Sequence, residues 1–275
     1  MKILSIDTSC DETSVAVTEG TKVISNVVWS QASLHSQFGG VLPSLAQRMH
    51  SERIGFVIDK ALSQAQCKQT DLEAIAVTTG PGLAIALGVG IEEAKKISKN
   101  LNIPIFEINH IEGHLLSPLA RSSVDNKEIE IKFPALGLAI SGKHTELVFI
   151  EKFGKYKVLA ETQDDALGEA LDKAARMLGL GYPGGAILEK MARLGNPKAY
   201  PLPLPMARQK DRHEFSYSGL KTAMYRLVEK QGDLDKQKIC DLAAVFQNRA
   251  FQHLEKVVKN TILAEKIEVI DLLVG

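Results

Sequence analysis

Apolar positions fall into short blocks at the start of the chain and then change period. Lys2 to Asp7 reads as a buried strand, Ser14 to Thr18 as a second and Val23 to Ser30 as a third. Further on, Ile54, Val57, Ile58, Ala61 and Leu62 recur at i, i+3, i+4, i+7 and i+8, which predicts an amphipathic helix. A strand at Ala74 to Thr78 runs into the turn Gly80-Pro81-Gly82, and a second helix continues to about Asn100. Ile103 to Ile108 is another strand, and it opens into His110-Ile111-Glu112-Gly113-His114.

The pattern then starts again. After the polar stretch Arg121 to Lys132, read as a linker, come three strands in a row: Phe133 to Ser141, Thr145 to Ile150 and Tyr156 to Glu161. The two opening hairpins overlay. Ile6-Asp7-Thr8-Ser9 turns into Thr13-Ser14-Val15-Ala16-Val17, and Ile140-Ser141-Gly142-Lys143 turns into Thr145-Glu146-Leu147-Val148-Phe149. A helical insertion at about 164–230 interrupts the second unit and carries the stiff loop Tyr200-Pro201-Leu202-Pro203-Leu204-Pro205. A long helix from about Lys236 to Ala264 and a strand from Val269 to Val274 close the chain. The expectation is a duplicated, two-lobed α/β fold, residues 1–120 and 121–275, with a ligand in the cleft between the lobes. This pattern resembles the actin, Hsp70 and sugar-kinase superfamily.

Charge narrows the function classes. Thirty-three Lys and Arg balance 33 Asp and Glu, so a nucleic-acid partner would need a local basic patch or a second protein. The longest apolar runs are strand-length and no signal peptide opens the chain, so no membrane partner is expected. The cysteines Cys10, Cys67 and Cys240 are odd in number and lack CxxC spacing, which makes the cytoplasm the default compartment.

Candidate chemistry lies in the turns. His110 and His114 are four apart, so on a helix both imidazoles can reach one metal ion; capping or surface roles explain the same spacing. A zincin would place Glu directly after the first His, whereas Ile111 stands there. The turn Asp7-Thr8-Ser9-Cys10-Asp11-Glu12-Thr13 is either a solvated hairpin or a ligand site, and Ser141-Gly142-Lys143-His144-Thr145 is its partner in the repeat. A helix from Asp165 carries a polar stripe of Asp165, Glu169, Asp172 and Arg176, in which Asp172 and Arg176 read as a surface pair. It ends before Gly181-Tyr182-Pro183-Gly184-Gly185.

Taken in order, these motifs resemble a family. Asp7–Thr13, Gly39-Gly40-Val41-Leu42-Pro43, Gly80-Pro81-Gly82-Leu83, His110–His114, His144-Thr145-Glu146-Leu147, Asp164–Lys173, Tyr182-Pro183-Gly184-Gly185 and Phe215-Ser216-Tyr217-Ser218-Gly219-Leu220-Lys221-Thr222 match the bacterial TsaD family of tRNA N6-adenosine threonylcarbamoyltransferases from Lys2 to Gly275. The resemblance implies transfer of threonylcarbamoyl from threonylcarbamoyl-adenylate to the adenosine beside the tRNA anticodon. It implies His110 and His114 as ligands of iron, alternatively zinc. It also implies Ala139, Ile140, Ser141, Gly142, Lys143, Asp172 and Gly185 as contacts to the adenylate or another adenine nucleotide, and Asp11 and Glu12 as candidate catalytic carboxylates. Implied partners are tRNA, a paralogous scaffold subunit and a small ATPase subunit. A non-catalytic scaffold, or an ATPase or phosphotransferase of the same fold, are the alternatives.

Two departures stand out. Lys143 replaces a family Gly, and its Cβ disfavours positive φ, which puts the turn shape in question. The family also continues past the strand at Val269 to Val274 with a Gly-rich turn and an Asp that completes the metal site. The expectation is therefore an incomplete, inactive form that leaves Ile270, Leu272 or Leu273 partly exposed. As a ligand contact on a surface stripe, Asp172 is expected to tolerate Asn with little loss of stability.

Overall fold

Alternating burial pairs the opening strands. Leu4 and Ile6 of β1 (Lys2–Asp7), Thr13, Val15 and Val17 of β2 (Glu12–Glu19), and Ser25 and Val27 of β3 (Lys22–Ser30) all turn to one buried face. After the single turn α1 (Ala32–His35), helix α2 (Pro43–Gln64) lays Ile54, Val57, Ile58, Ala61 and Leu62 on that face, the stripe expected from sequence. The chain continues through β4 (Ala74–Gly80), α3 (Ala84–Leu101), β5 (Ile105–Asn109), α4 (His110–Leu116) and β6 (Arg121–Ser122). The sheet order is β5-β4-β1-β2-β3-β6.

The second sheet repeats this plan. Strands β7 (Ala135–Ile140), β8 (Thr145–Lys152) and β9 (Lys155–Glu161) form an antiparallel meander, and β10 (Asp271–Val274) returns parallel to β7. The order β10-β7-β8-β9 matches β4-β1-β2-β3, with the same parallel and antiparallel pairs. This is the duplicated α/β fold expected from the hairpins. Between β9 and β10 lie α5 (Leu167–Met177), α6 (Gly185–Ala192), α7 (Ser218–Gln231) and α8 (Lys236–Ala264). Asp235 starts α8 by accepting the Lys238 N–H at 2.8 Å, which accounts for the sharp boundary.

The computed structural model describes residues 1–124, 129–206, 213–268 and 271–275. They form two compact units, Met1–Glu130 and Ile131–Gly275. The junction expected after residue 120 falls later because β6, inside the expected linker, pairs with Lys22 and Val23 of β3. The expected strand at 269–274 is seen from Asp271; its first two residues, Ile270 among them, lie outside the described residues. Leu273 is buried, while Leu272 is 54% exposed. Helix α5 starts at Leu167 rather than Asp165, whose side chain is buried in an ion cluster described below. Among the described residues, no helix is long and apolar enough to cross a membrane.

The second core is built around α8, whose Val245 and Phe246 share one buried cluster with Phe215, Tyr217 and Leu220. His253, on the same helix, is 1% exposed, and its Nε2 accepts the Ser216 N–H at 3.1 Å. Burial, aided by the nearby Lys256 charge and opposed by Asp164, pushes the His253 imidazole down to about 4. The folded value lies below the ordinary one of 6.5, so the unfolded chain takes up the proton first as pH falls. The contribution is whole above pH 6.5 and is lost between 6.5 and about 4. His253→Gln keeps an acceptor for Ser216 and cannot titrate. Urea denaturation at neutral and acid pH should show wild type losing roughly 2–3 kcal/mol more than this variant; equal losses would count against the assignment.

Candidate active site

One carboxylate organises the first unit. Asp7, at the end of β1, accepts the Ser9 N–H at 2.8 Å on Oδ1 and the Thr78 hydroxyl at 2.7 Å on Oδ2. His110 Nδ1 lies 3.1 Å from the same Oδ2. Burial opposes the charge on Asp7, but hydrogen bonds from His110, Ser9 and Thr78 outweigh it and hold the carboxyl well below the usual range. Asn109 fixes the start of α4 by accepting the N–H groups of Ile111 and Glu112 at 2.8 and 3.2 Å. His110 thus enters the helix at its first position, and His114 follows one turn later with its ring centroid 4.6 Å from that of His110.

The arrangement suits metal binding. With Nδ1 engaged by a carboxylate, Nε2 is the nitrogen through which His110 can ligate, and the carboxylate fixes its tautomer. Burial, then the neighbouring His110, pushes the His114 imidazole down, which favours the neutral ligating form. Two imidazoles side by side suit iron or zinc as two members of a ligand set. Among the described residues, no group of three or more His, Cys, Asp or Glu side chains is arranged to hold a metal ion.

The β1–β2 turn carries Asp11, and Glu12 opens β2 beside it. Burial and then the Asp11 charge push the Glu12 carboxyl up, while the Ser30 hydroxyl, donating at 3.2 Å, works against them. The loop 80–83 closes over this turn: the Leu83 N–H donates to the Ser9 carbonyl at 2.7 Å. A Cβ on Gly82 would lie 2.7 Å from that carbonyl oxygen, so only glycine permits the approach.

In the second unit the matching turn is closed by the Ser141 N–H donating to the His144 carbonyl at 2.9 Å. The Ser141 hydroxyl accepts the amides of Lys143 and His144 at 3.2 and 3.0 Å. No residue of this turn has positive φ, so Lys143 fits without strain and the doubt over the turn shape is removed. Lys143 is exposed, and open space surrounds the position a Gly142 Cβ would take. Ala139 is fully buried in β7, so only its backbone can face a ligand. Helix α5 starts against this turn: a Cβ on Gly168 would lie 2.6 Å from the Ser141 carbonyl oxygen. Further along α5, Asp172 Oδ1 accepts the N–H groups of Gly184 and Gly185 at 2.9 and 2.8 Å, which places the start of α6. Asp11, Glu12, His110 and His114 thus belong to the first unit, and Ala139 to Lys143, Asp172 and Gly185 to the second.

The model of the family "TsaD: tRNA N6-adenosine threonylcarbamoyltransferase" matches residues 22–275. The chain belongs to the TsaD family. Curated relatives named tRNA N6-adenosine threonylcarbamoyltransferase include one from Syntrophotalea carbinolica, 45% identical over 93% of this chain and 73% of its own length. One from Geotalea daltonii is 44% identical over 90% and 71%, and one from Clostridium kluyveri 43% over 98% and 76%.

Within this TsaD chain, the structure adds pairings that no local pattern marked. Asp164 accepts from the Ser216 hydroxyl at 2.6 Å, the Tyr217 N–H at 2.8 Å, and the Ser218 hydroxyl and N–H at 2.7 and 3.2 Å, so it caps α7. Asp165 bridges the ammonium groups of Lys173 and Lys221, and Lys173 also reaches Glu169 at 2.9 Å. Both aspartates sit in one recognised motif and Lys221 in another, but the pairing spans about 50 residues and has no periodic signature.

Asp172 needs a correction. It anchors two backbone amides, so its loss carries a structural cost as well as any ligand effect. Asp172→Ala is expected to lose about 2 kcal/mol of unfolding free energy and Asp172→Asn, which keeps an acceptor oxygen, roughly 1 kcal/mol. Chemical denaturation checks this; an Ala variant as stable as wild type would restore the surface-stripe reading.

Proposed function

We propose that this chain transfers the threonylcarbamoyl group of threonylcarbamoyl-adenylate to N6 of the adenosine beside the tRNA anticodon. The Asp7–His110–His114 cluster carries the reading, because it sets up metal-ligating imidazoles in a chain of the TsaD family. In the transfer, N6 attacks the carbamoyl carbonyl carbon. A C–N bond forms, the bond from that carbon to the adenylate phosphate oxygen breaks, and AMP leaves. The N6 proton passes to a carboxylate of the Asp11–Glu12 pair; burial raises the Glu12 carboxyl, which suits it to accept a proton.

His110 and His114 would hold iron or zinc, with Asp7 orienting His110. The metal supplies Lewis-acid polarisation of the threonylcarbamoyl carbonyl. The turn from Ala139 to Lys143, together with Asp172 and Gly185, binds the adenylate. Gly142 leaves room for its phosphate against the backbone, and the Lys143 ammonium offers it a charge partner. A cytoplasmic location, a paralogous scaffold subunit and a small ATPase subunit belong to the same proposal. No observation favours the scaffold or phosphotransferase alternatives.

Incubation with adenylate and tRNA, followed by nucleoside analysis, should yield N6-threonylcarbamoyl-adenosine and so set aside the inactivity expected from the sequence. ATP hydrolysis without tRNA, and no modified nucleoside, would overturn the reading. Independently of turnover, His110→Ala should lose bound iron and zinc by elemental analysis, and Asp7→Asn should bind metal roughly 10–100-fold more weakly. Undiminished metal in both variants would return the histidines to a capping role.

A further inference from the structure

Where β1 turns into β2, three successive carbonyls, Ser9 to Asp11, are held by other parts of the chain. The Ser9 oxygen takes the Leu83 N–H at 2.7 Å, and the Asp11 oxygen takes the Gln31 N–H at 2.9 Å. Between them, the Cys10 oxygen lies 3.0 Å from His50 Nε2. A carbonyl oxygen can only accept, so His50 carries its proton on Nε2. Nδ1 is then an acceptor, and the Thr13 hydroxyl 2.8 Å away donates to it. Each ring nitrogen grips one side of Asp11 and Glu12. Of the three clamps, His50 is the one made by a side chain. It is fully buried on α2, and burial pushes its imidazole down, in keeping with a neutral ring.

We infer that His50 is a positioning residue that sets the Asp11–Glu12 carboxylates by fixing the backbone on either side of them through a single Nε2–H tautomer. The inference extends the proposed transfer reaction and rests on it for its kinetic consequence alone. Proton transfer needs a carboxylate within hydrogen-bond reach of its proton, and small misplacements of such groups are costly. Nothing in the local sequence marks His50, because its partners lie 37 and 40 residues away.

Three measurements decide it. Imidazole 15N spectroscopy of the wild-type chain should show His50 protonated on Nε2 and unprotonated on Nδ1 at neutral pH; the opposite tautomer overturns the inference. Hydrogen exchange across residues 8–15 should quicken at least about tenfold in His50→Ala while β7–β9 is unchanged; unchanged exchange in the turn overturns it. In the transfer assay, His50→Ala should lower kcat roughly 10–100-fold with KM for tRNA within about twofold. His50→Gln, which can still donate to Cys10, should recover part of the rate. Adding Asp11→Asn and Glu12→Gln to His50→Ala should cost no more than those two changes alone, since His50 acts through them; full additivity overturns the inference. Should His50→Ala fail to fold, Thr13→Val serves in its place for exchange and kinetics. A wild-type chain that makes no modified nucleoside refutes the transfer reading, and the tautomer and exchange results then judge the clamp separately.

Discussion

The first unit depends on one carboxylate that takes hydrogen bonds from three parts of the chain. Asp7 joins its own strand end to Thr78 at the end of β4 and to His110 at the start of α4. Since β1, β4 and β5 are parallel, their carboxyl ends share one edge of the sheet, the edge where α/β proteins bind ligands. Three charge-assisted donors compensate the cost of burying the carboxylate, and they also leave its geometry little freedom. The turn, the glycine loop and the histidine helix therefore share a reference point.

How far this architecture could be read in advance follows from the range of each interaction. The strands, the stripe on α2 and the span of α8 rest on spacings of a few residues and appear in the structure as expected. The duplicated strand order could be inferred because each half carries its own copy of the hairpin. His110 and His114 share a helical turn, so their spacing alone placed them together. Pairing of β6 with β3, the capping of α7 by Asp164 and the double anchor at Asp172 join residues distant in sequence by bonds that leave no periodic trace. Tyr217 and His253 pack edge to face inside the second core, where a polar pattern in sequence reads as surface.

The second unit places its Ser141–His144 turn by another route. Helix α5 is the common support: its first turn admits the Ser141 carbonyl because residue 168 lacks a side chain, and Asp172 farther on fixes the glycines that begin α6. A shift of α5 along its axis would displace the Ser141–His144 turn and residues 184–185 together. The turn and the glycines thus share one support.

What keeps α5 in place has an evolutionary side. Asp165, Glu169, Lys173 and Lys221 form a cluster of two acids and two bases whose formal charges cancel. Neutralising one member leaves an uncompensated charge beside a nearly buried carboxylate, so single changes here are disfavoured and paired ones tolerated. These four positions lie in two of the motifs shared with the family and are therefore expected to be kept as a set, Lys221 tied to a carboxylate more than fifty positions earlier.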